Sequence, residues 1–175
     1  EEVKAAVVNL AESLTVGIGE NNAELTPVVS KDQQQQILAM IDKAREEGAN
    51  VLTGGKAADL EGYFVLPTII EAKDDMSIAQ EEVFGPVFLV MPYRTVDDAV
   101  AIANGTPFGL GASVFGRDYK ECQHVASQLT CGMVNINEYV CTRLAAIVQR
   151  STRDGCGYRD EGTKKKTWSL LLKTR

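Results

Sequence analysis

Gln80-Glu81-Glu82-Val83-Phe84-Gly85-Pro86-Val87 sets two adjacent carboxylates ahead of an aromatic and a Gly-Pro pair. Pro86 has no amide hydrogen and disfavours the α region for the residue before it, so no helix continues through Gly85. Glu82 and Phe84 are therefore expected on a fixed, non-helical turn. The apolar run Val87-Phe88-Leu89-Val90-Met91 follows directly. It is short enough for a buried strand, which would hold the turn at the end of a rigid element. A clamped carboxylate and an aromatic ring two residues apart can accept two sugar hydroxyls and lie against a flat heterocycle. The same pattern also reads as solvated turn charges at Glu81 and Glu82 with Phe84 as core filling.

Upstream of this turn, residues 2–14 place Val3, Ala6, Val7, Leu10, Ala11 and Leu14 on one helical face. Thr15 to Pro27, with Gly17, Gly19, Asn21 and Asn22, reads as a turn-rich connector. Its Gly-x-Gly follows a helix and lacks a further glycine, so a plain loop is expected in place of a phosphate cradle. Ser30 can cap a second helix with Gln33 as the reciprocal side chain of a capping box. Ile37, Leu38, Ile41 and Ala44 form its apolar stripe, Gly48 ends it, and Gln33 to Gln36 read as a solvated first turn. Val51-Leu52-Thr53 reads as a strand. Tyr63 to Leu66 with Thr68 to Ile70 reads as another, broken by Pro67, which suggests an edge or a bend. A short helical turn over Met76 to Gln80 then delivers the chain to Glu82.

Downstream, a strand over 87–93 precedes a helix capped at Thr95 and ended by Asn104-Gly105. Leu110 to Phe115 reads as a strand. Asp118 caps a further helix whose apolar face is Cys122, Val125, Ala126 and Leu129, and Met133 to Asn137 reads as a last strand. Helices alternating with short apolar strands indicate an α/β fold, a mostly parallel sheet covered by helices. Clefts in such sheets open at the carboxyl ends of strands, where Asn135 and Asn137 can project. Asn137 can equally tie down a loop through backbone hydrogen bonds. His124 is the only histidine, which argues against a metal site centred on it, and no metal is expected.

Ile78-Ala79-Gln80-Glu81-Glu82-Val83-Phe84-Gly85-Pro86-Val87 resembles the motif near the cofactor in the catalytic domain of the NAD(P)-dependent aldehyde dehydrogenase superfamily. Gly62 to Thr68, Ala101 to Asn104, Phe108 to Phe115 and Gly132 to Asn137 resemble family segments in the same order, so the resemblance covers roughly residues 1–140. It implies an aldehyde dehydrogenase catalytic-domain-like fold, incomplete in this chain, and oxidation of an aldehyde to a carboxylic acid with hydride passed to NAD or NADP. It further implies that Glu82 binds the nicotinamide ribose hydroxyls and that Phe84 packs beside the ribose and nicotinamide. Asn137 matches a family asparagine. The implied partners are a small-molecule aldehyde and further copies of the same chain.

The resemblance also implies a cysteine nucleophile, an oxyanion hole and a glutamate that activates water. The nucleophile lies upstream of the Glu82 motif by more residues than this chain has, so no catalytic residue is expected here and the isolated chain is expected to be inactive. None of Cys122, Cys131, Cys141 and Cys156 has the family's nucleophile setting. The competing expectation is a non-catalytic relative that binds a partner subunit. A third is an acyl-phosphate reductase of the same broad superfamily.

The net charge of −6 is uneven. Arg143 to Arg175 holds nine Lys and Arg against three acids, leaving −12 on the rest, and an acidic body argues against a nucleic-acid surface. No apolar run approaches the roughly 20 residues of a membrane-spanning helix, and Glu1-Glu2-Val3-Lys4 has no signal pattern. Cysteines without paired spacing fit reduced thiols, hence an intracellular, cytoplasmic setting. From Cys141 the family's Pro-Phe-Gly-Gly and Ser-Gly-x-Gly-Arg segments are missing, and 141–175 reads as a divergent, poorly ordered basic tail or the product of an altered reading frame.

Overall fold

A computed structural model describes residues 2–138 and 171–173. The chain divides into two compact units that meet in sequence at Pro92 and Tyr93. Each unit is built on its own three-stranded sheet.

The first unit begins with α1 (Glu2–Ser13) and continues through a 3-10 turn at Gly19–Asn21 to α2 (Lys31–Glu46). Ser30, extended at the N-cap, accepts a hydrogen bond from the Gln33 amide at 3.1 Å, which satisfies one of the helix's orphan donors. Ile37, Ile41 and Ala44 repeat at helical spacing and are fully buried. Burial of each isoleucine contributes about 1.5–3 kcal/mol, so this stripe fixes the rotation of α2. In α1 the buried side is displaced from the predicted one. Leu10 is exposed and Ala11 is buried, while Lys4, on the same side as Ala11, pairs with Glu71 at 3.1 Å.

The strands β1 (Asn50–Thr53), β2 (Thr68–Glu71) and β3 (Val87–Val90) lie in the order β1-β2-β3, with the short helix α3 (Ser77–Gln80) between β2 and β3. β1 runs antiparallel to β2 and β2 runs parallel to β3, with Thr68 opposite Val87 and Ile70 opposite Leu89. Pro67 does not mark an edge, because β2 is the central strand and its ladder starts one residue later. The Thr68 amide donates to the Pro86 carbonyl at 2.9 Å, so the donor that proline lacks falls outside the sheet. Residues 63–66 form no strand; Val65 makes an isolated bridge with Ala57.

The second unit contains α4 (Val96–Asn104), β4 (Gly111–Phe115), α5 (Tyr119–Ala126), β5 (Met133–Ile136) and β6 (Leu171–Lys173). Its sheet has the order β5-β4-β6 and every pairing is parallel. Thr95 and Asp98 form a reciprocal capping box at the start of α4, and Asp118 caps α5 through the amides of Lys120 and Glu121. The core joins Ala99, Val100 and Ala103 of α4 to Ala112 and Val114 of β4, Cys122 and Val125 of α5, and Leu129 and Cys131. Among the pairings of the named strands only β1–β2 is antiparallel, and the fold is α/β with mostly parallel sheets. Apart from Leu171–Lys173, which pair with β4, the predicted tail 141–175 lies outside the described residues, as do Cys141 and Cys156.

Candidate functional site

The turn that carries Glu82 and Phe84 is bounded by two elements of the first unit. On the amino side α3 presents Ile78 and Ala79 to the core, and Val83 continues that burial. Glu47, just past α2, accepts the Ser77 amide at 2.7 Å and so holds the start of α3. Hydrogen bonding to the Ser77 hydroxyl, then to its amide, holds the Glu47 carboxyl below its ordinary range, with burial opposing and the charge of Lys43 adding least. On the carboxyl side the chain enters β3, and the Val87 amide donates to Gly85 O at 2.8 Å in a tight reversal.

Phe84 adopts φ +50°, a left-handed conformation that a residue with a β-carbon occupies at a cost of about 1–2 kcal/mol. Its ring is not core filling, for the residue is 61 % exposed. Gly85, next in the chain, lies against α2, where an added β-carbon would stand 2.5 Å from Ile37 Cδ1. The Gln33 side-chain amide donates to the carbonyl oxygens of Val83 and Phe84 at 3.3 Å each. Each such bond contributes about 0.5–1.5 kcal/mol net, so the pair is of the same order as the strain at Phe84. Backbone strain held in place by its surroundings and an exposed aromatic at its centre are a combination found where proteins meet ligands.

Glu82 lies inside this frame. Its Oε2 is buried and has no hydrogen-bond partner among the described residues. A buried carboxylate oxygen left unbonded is costly, and one beside an exposed ring is an acceptor available to hydroxyl donors. The carboxylate and the ring thus share one turn of the first unit. In chemistry, the turn offers an acceptor for hydroxyl donors beside an apolar surface on which a flat ring can lie.

Asn137 belongs to the second unit and is bonded otherwise. It follows β5 with φ +55°, its Oδ1 accepts the Gly116 amide at 2.9 Å, and its Nδ2 donates to the Gly116 carbonyl at 2.9 Å. Both polar ends of the side chain therefore join the loop after β4 to the end of β5, which is the loop-tying role. Asn135 is the register partner of Ser113, and both leave a buried atom unbonded among the described residues, Nδ2 and Oγ respectively. Alternation puts this pair on the sheet face opposite Ala112 and Val114, away from α4 and α5. Cys122 and Cys131 are buried in the core of the second unit, so neither is placed to attack a carbonyl in solution.

Sequence reasoning missed Gln33. Its place in the sequence reads as the reciprocal half of a capping box within a solvated first turn, yet its side chain crosses to the Glu82 turn, and Gln34 donates to Phe64 O at 2.8 Å. Only Gln35 and Gln36 are exposed. The helical offset of four residues between Gln33 and the buried Ile37 was the available signal, since it puts both on one face. A hollow of about 350 Å³ in the first unit, lined by Thr15, Gly17, Ile18, Leu60 and Phe64 among others, includes neither Glu82 nor Phe84.

The sequence profile of the aldehyde dehydrogenase family matches residues 1–164. A betaine aldehyde dehydrogenase of Cereibacter sphaeroides is 42% identical over 124 residues, 70% of this chain and 26% of that protein. Aldehyde dehydrogenase family 2 member C4 of Arabidopsis thaliana is 37% identical over 141 residues, 79% of this chain and 28% of its own length. Among solved structures, an aldehyde dehydrogenase from Bacillus cereus in complex with NAD+ superposes with a TM-score of 0.76 at 40% identity, covering 79% of this chain and 28% of that one. The chain thus spans under a third of the length of these relatives. No helix among the described residues is long and apolar enough to cross a membrane. With a profile match over 164 of its 175 residues, the chain belongs to the aldehyde dehydrogenase family.

Proposed function

We propose that this chain supplies the nicotinamide-ribose side of a coenzyme site in the NAD- or NADP-dependent oxidation of an aldehyde to a carboxylic acid. The observation that carries the reading is the buried, unbonded Glu82 Oε2 on the same turn as the strained, exposed Phe84. The bound dinucleotide would supply the acceptor for the hydride leaving the aldehyde. Glu82 would accept hydrogen bonds from its ribose hydroxyls, which satisfies the orphaned oxygen. Phe84 would form an apolar flank that limits the motion of the ribose and ring and keeps water from that side. Because neither group reacts, their contribution is orientation.

The nucleophile and the water-activating base are assigned to sequence outside these 175 residues, a reading supported by the burial of Cys122 and Cys131 in a packed core. The chain on its own is accordingly proposed to be catalytically inactive. The Cereibacter and Bacillus relatives support an aldehyde substrate and NAD+, and homo-oligomeric assembly in the cytoplasm completes the proposal. Titration of the intact protein with NADH and NADPH, with and without replacement of Glu82 and Phe84, tests it.

A further inference from the structure

We infer that Asn104 is a site of spontaneous deamidation, kept intact by a two-sided clasp within the second unit, and that its conversion to an acid unlatches α4 from the loop after α5. Asn104-Gly105 is the one Asn-Gly pair in the chain. Because Gly105 carries no side chain, nothing shields its nitrogen from the Asn104 side-chain amide, and glycine reaches the backbone angles that bring the two together. In the reaction the Gly105 nitrogen gives up its proton and bonds to Asn104 Cγ, the Cγ–Nδ2 bond breaks, and ammonia leaves with that proton. Water then opens the cyclic imide at either carbonyl. The product is aspartate, or an isoaspartate whose main chain runs through the former side chain. Both residues are exposed, so solvent water reaches them.

The fold holds this reaction back. Asn104 Nδ2 donates to Gln128 O at 2.9 Å, and Oδ1 accepts the Thr130 amide at 2.7 Å, so both polar ends of the side chain are committed to the loop after α5. Asn104 is the last residue of α4, and the Gly105 amide caps the helix by donating to Ile102 O at 3.1 Å. That bond points the attacking nitrogen back along the helix and retains the proton it must lose. The loop itself is anchored, because Leu129, between the two bonded residues, is buried in the core of the unit. Attack therefore requires the clasp to open first, and the rate follows the population of the opened form.

The product cannot close the clasp again. An aspartate at 104 still accepts from the Thr130 amide, but its second oxygen has no hydrogen to give the Gln128 carbonyl. It also adds a negative charge at the C-terminal end of α4, where the helix carbonyls disfavour one. Isoaspartate lengthens the main chain between residues 104 and 105 and displaces the Gly105 amide from Ile102 O. Each change loosens the same junction, so the modification is a one-way step that ages the second unit.

The test incubates the intact protein in mildly alkaline buffer with and without urea and follows acid formation at Asn104 by peptide mapping and mass spectrometry, with Asn22 and Asn50 as internal references. In urea Asn104 should convert faster than either reference, and Gly105→Ala should slow it. In the folded protein Asn104 should convert at least about tenfold more slowly than in urea, because two hydrogen bonds and the packing of Leu129 must be given up first. Thr130→Pro, which deletes the amide donor, and Leu129→Ala, which loosens the loop, should each raise the folded rate. Should Thr130→Pro not fold, Leu129→Ala carries the comparison. Asn104→Asp should lower the unfolding midpoint and speed amide exchange at Gly105.

Equal rates with and without urea, or a folded rate that neither loop variant raises, would overturn the clasp as the gate. Conversion in urea no faster at Asn104 than at Asn22 would overturn the site itself. An Asn104→Asp protein with the parent midpoint and parent exchange at Gly105 would overturn the unlatching.

Discussion

Gly85 rests against Ile37 so closely that a β-carbon at residue 85 would lie 2.5 Å from Ile37 Cδ1 and 3.0 Å from its Cγ1. The Gly-Pro pair therefore does two separate things. Pro86 stops the helix, and Gly85 lets the turn dock on the buried face of α2.

Gly85→Ala should destabilise the first unit by about 1–3 kcal/mol, the usual cost of an extra methyl group in a packed site. Combining it with Ile37→Val, which removes the Cδ1 atom nearest the clash, should recover part of that loss. Urea unfolding of the two variants checks this; equal midpoints for Gly85→Ala and the unmodified chain would contradict the contact.

Asn137 ties Gly116 to the end of β5 with two hydrogen bonds at 2.9 Å from a left-handed backbone position. Asn137→Ala loses both bonds and places an unfavourable residue at positive φ, so the second unit should lose about 2 kcal/mol. Asn137→Gly loses the same bonds but relieves the backbone, and its unfolding midpoint should fall between the two. Amide exchange of Gly116 should accelerate in both variants.

Acid should weaken both units through carboxylates held below their ordinary values of 4.5 for Glu47 and 3.8 for Asp98. In Asp98 the largest cause is the hydrogen bond from the Thr95 amide, followed by that of the Thr95 hydroxyl. A folded-state value below the unfolded one means that the unfolded chain takes up the proton first. The stabilisation is thus complete above the ordinary value and is lost as pH falls through the depressed one. Unfolding midpoints measured from pH 7 down to about 3 should fall less steeply in Glu47→Gln and in Asp98→Asn than in the parent. Identical slopes would show that these contacts do not persist in solution.

Much of this architecture is legible in the residues. Thr95 with Asp98, Ser30 with the Gln33 amide, and Asp118 all cap helices where a short polar side chain precedes an apolar period, because capping depends on neighbours within one turn. The strands over 87–90 and 111–115 stand where apolar runs are bounded by turn residues. Long-range partners are a different matter. Nothing local to Pro67 tells whether β2 is central or at an edge, since that depends on where β1 and β3 pair. Gln33 shares a helix face with the buried Ile37, which marks it as inward-facing, but nothing local names the residues fifty positions away that it bonds. In the candidate site, Glu82 and Phe84 were readable as a pair on a fixed turn, but the left-handed conformation of Phe84 and the orphaned oxygen of Glu82 emerge only from three-dimensional packing.

The account turns on whether Glu82 and Phe84 hold a dinucleotide. The most direct measurement is NADH titration of the intact protein alongside Glu82→Gln and Phe84→Ala, with unfolding midpoints taken on the same samples. Loss of a charge-assisted hydrogen bond is worth about 1.5–3 kcal/mol, so affinity should drop at least about tenfold in Glu82→Gln. Phe84→Ala should show a smaller loss, and Glu82→Gln should unfold close to the parent midpoint because the oxygen it alters is buried and unbonded among the described residues; Phe84→Ala keeps the left-handed strain, since alanine also carries a β-carbon at φ +50°. Dinucleotide affinity that survives both replacements would contradict the account.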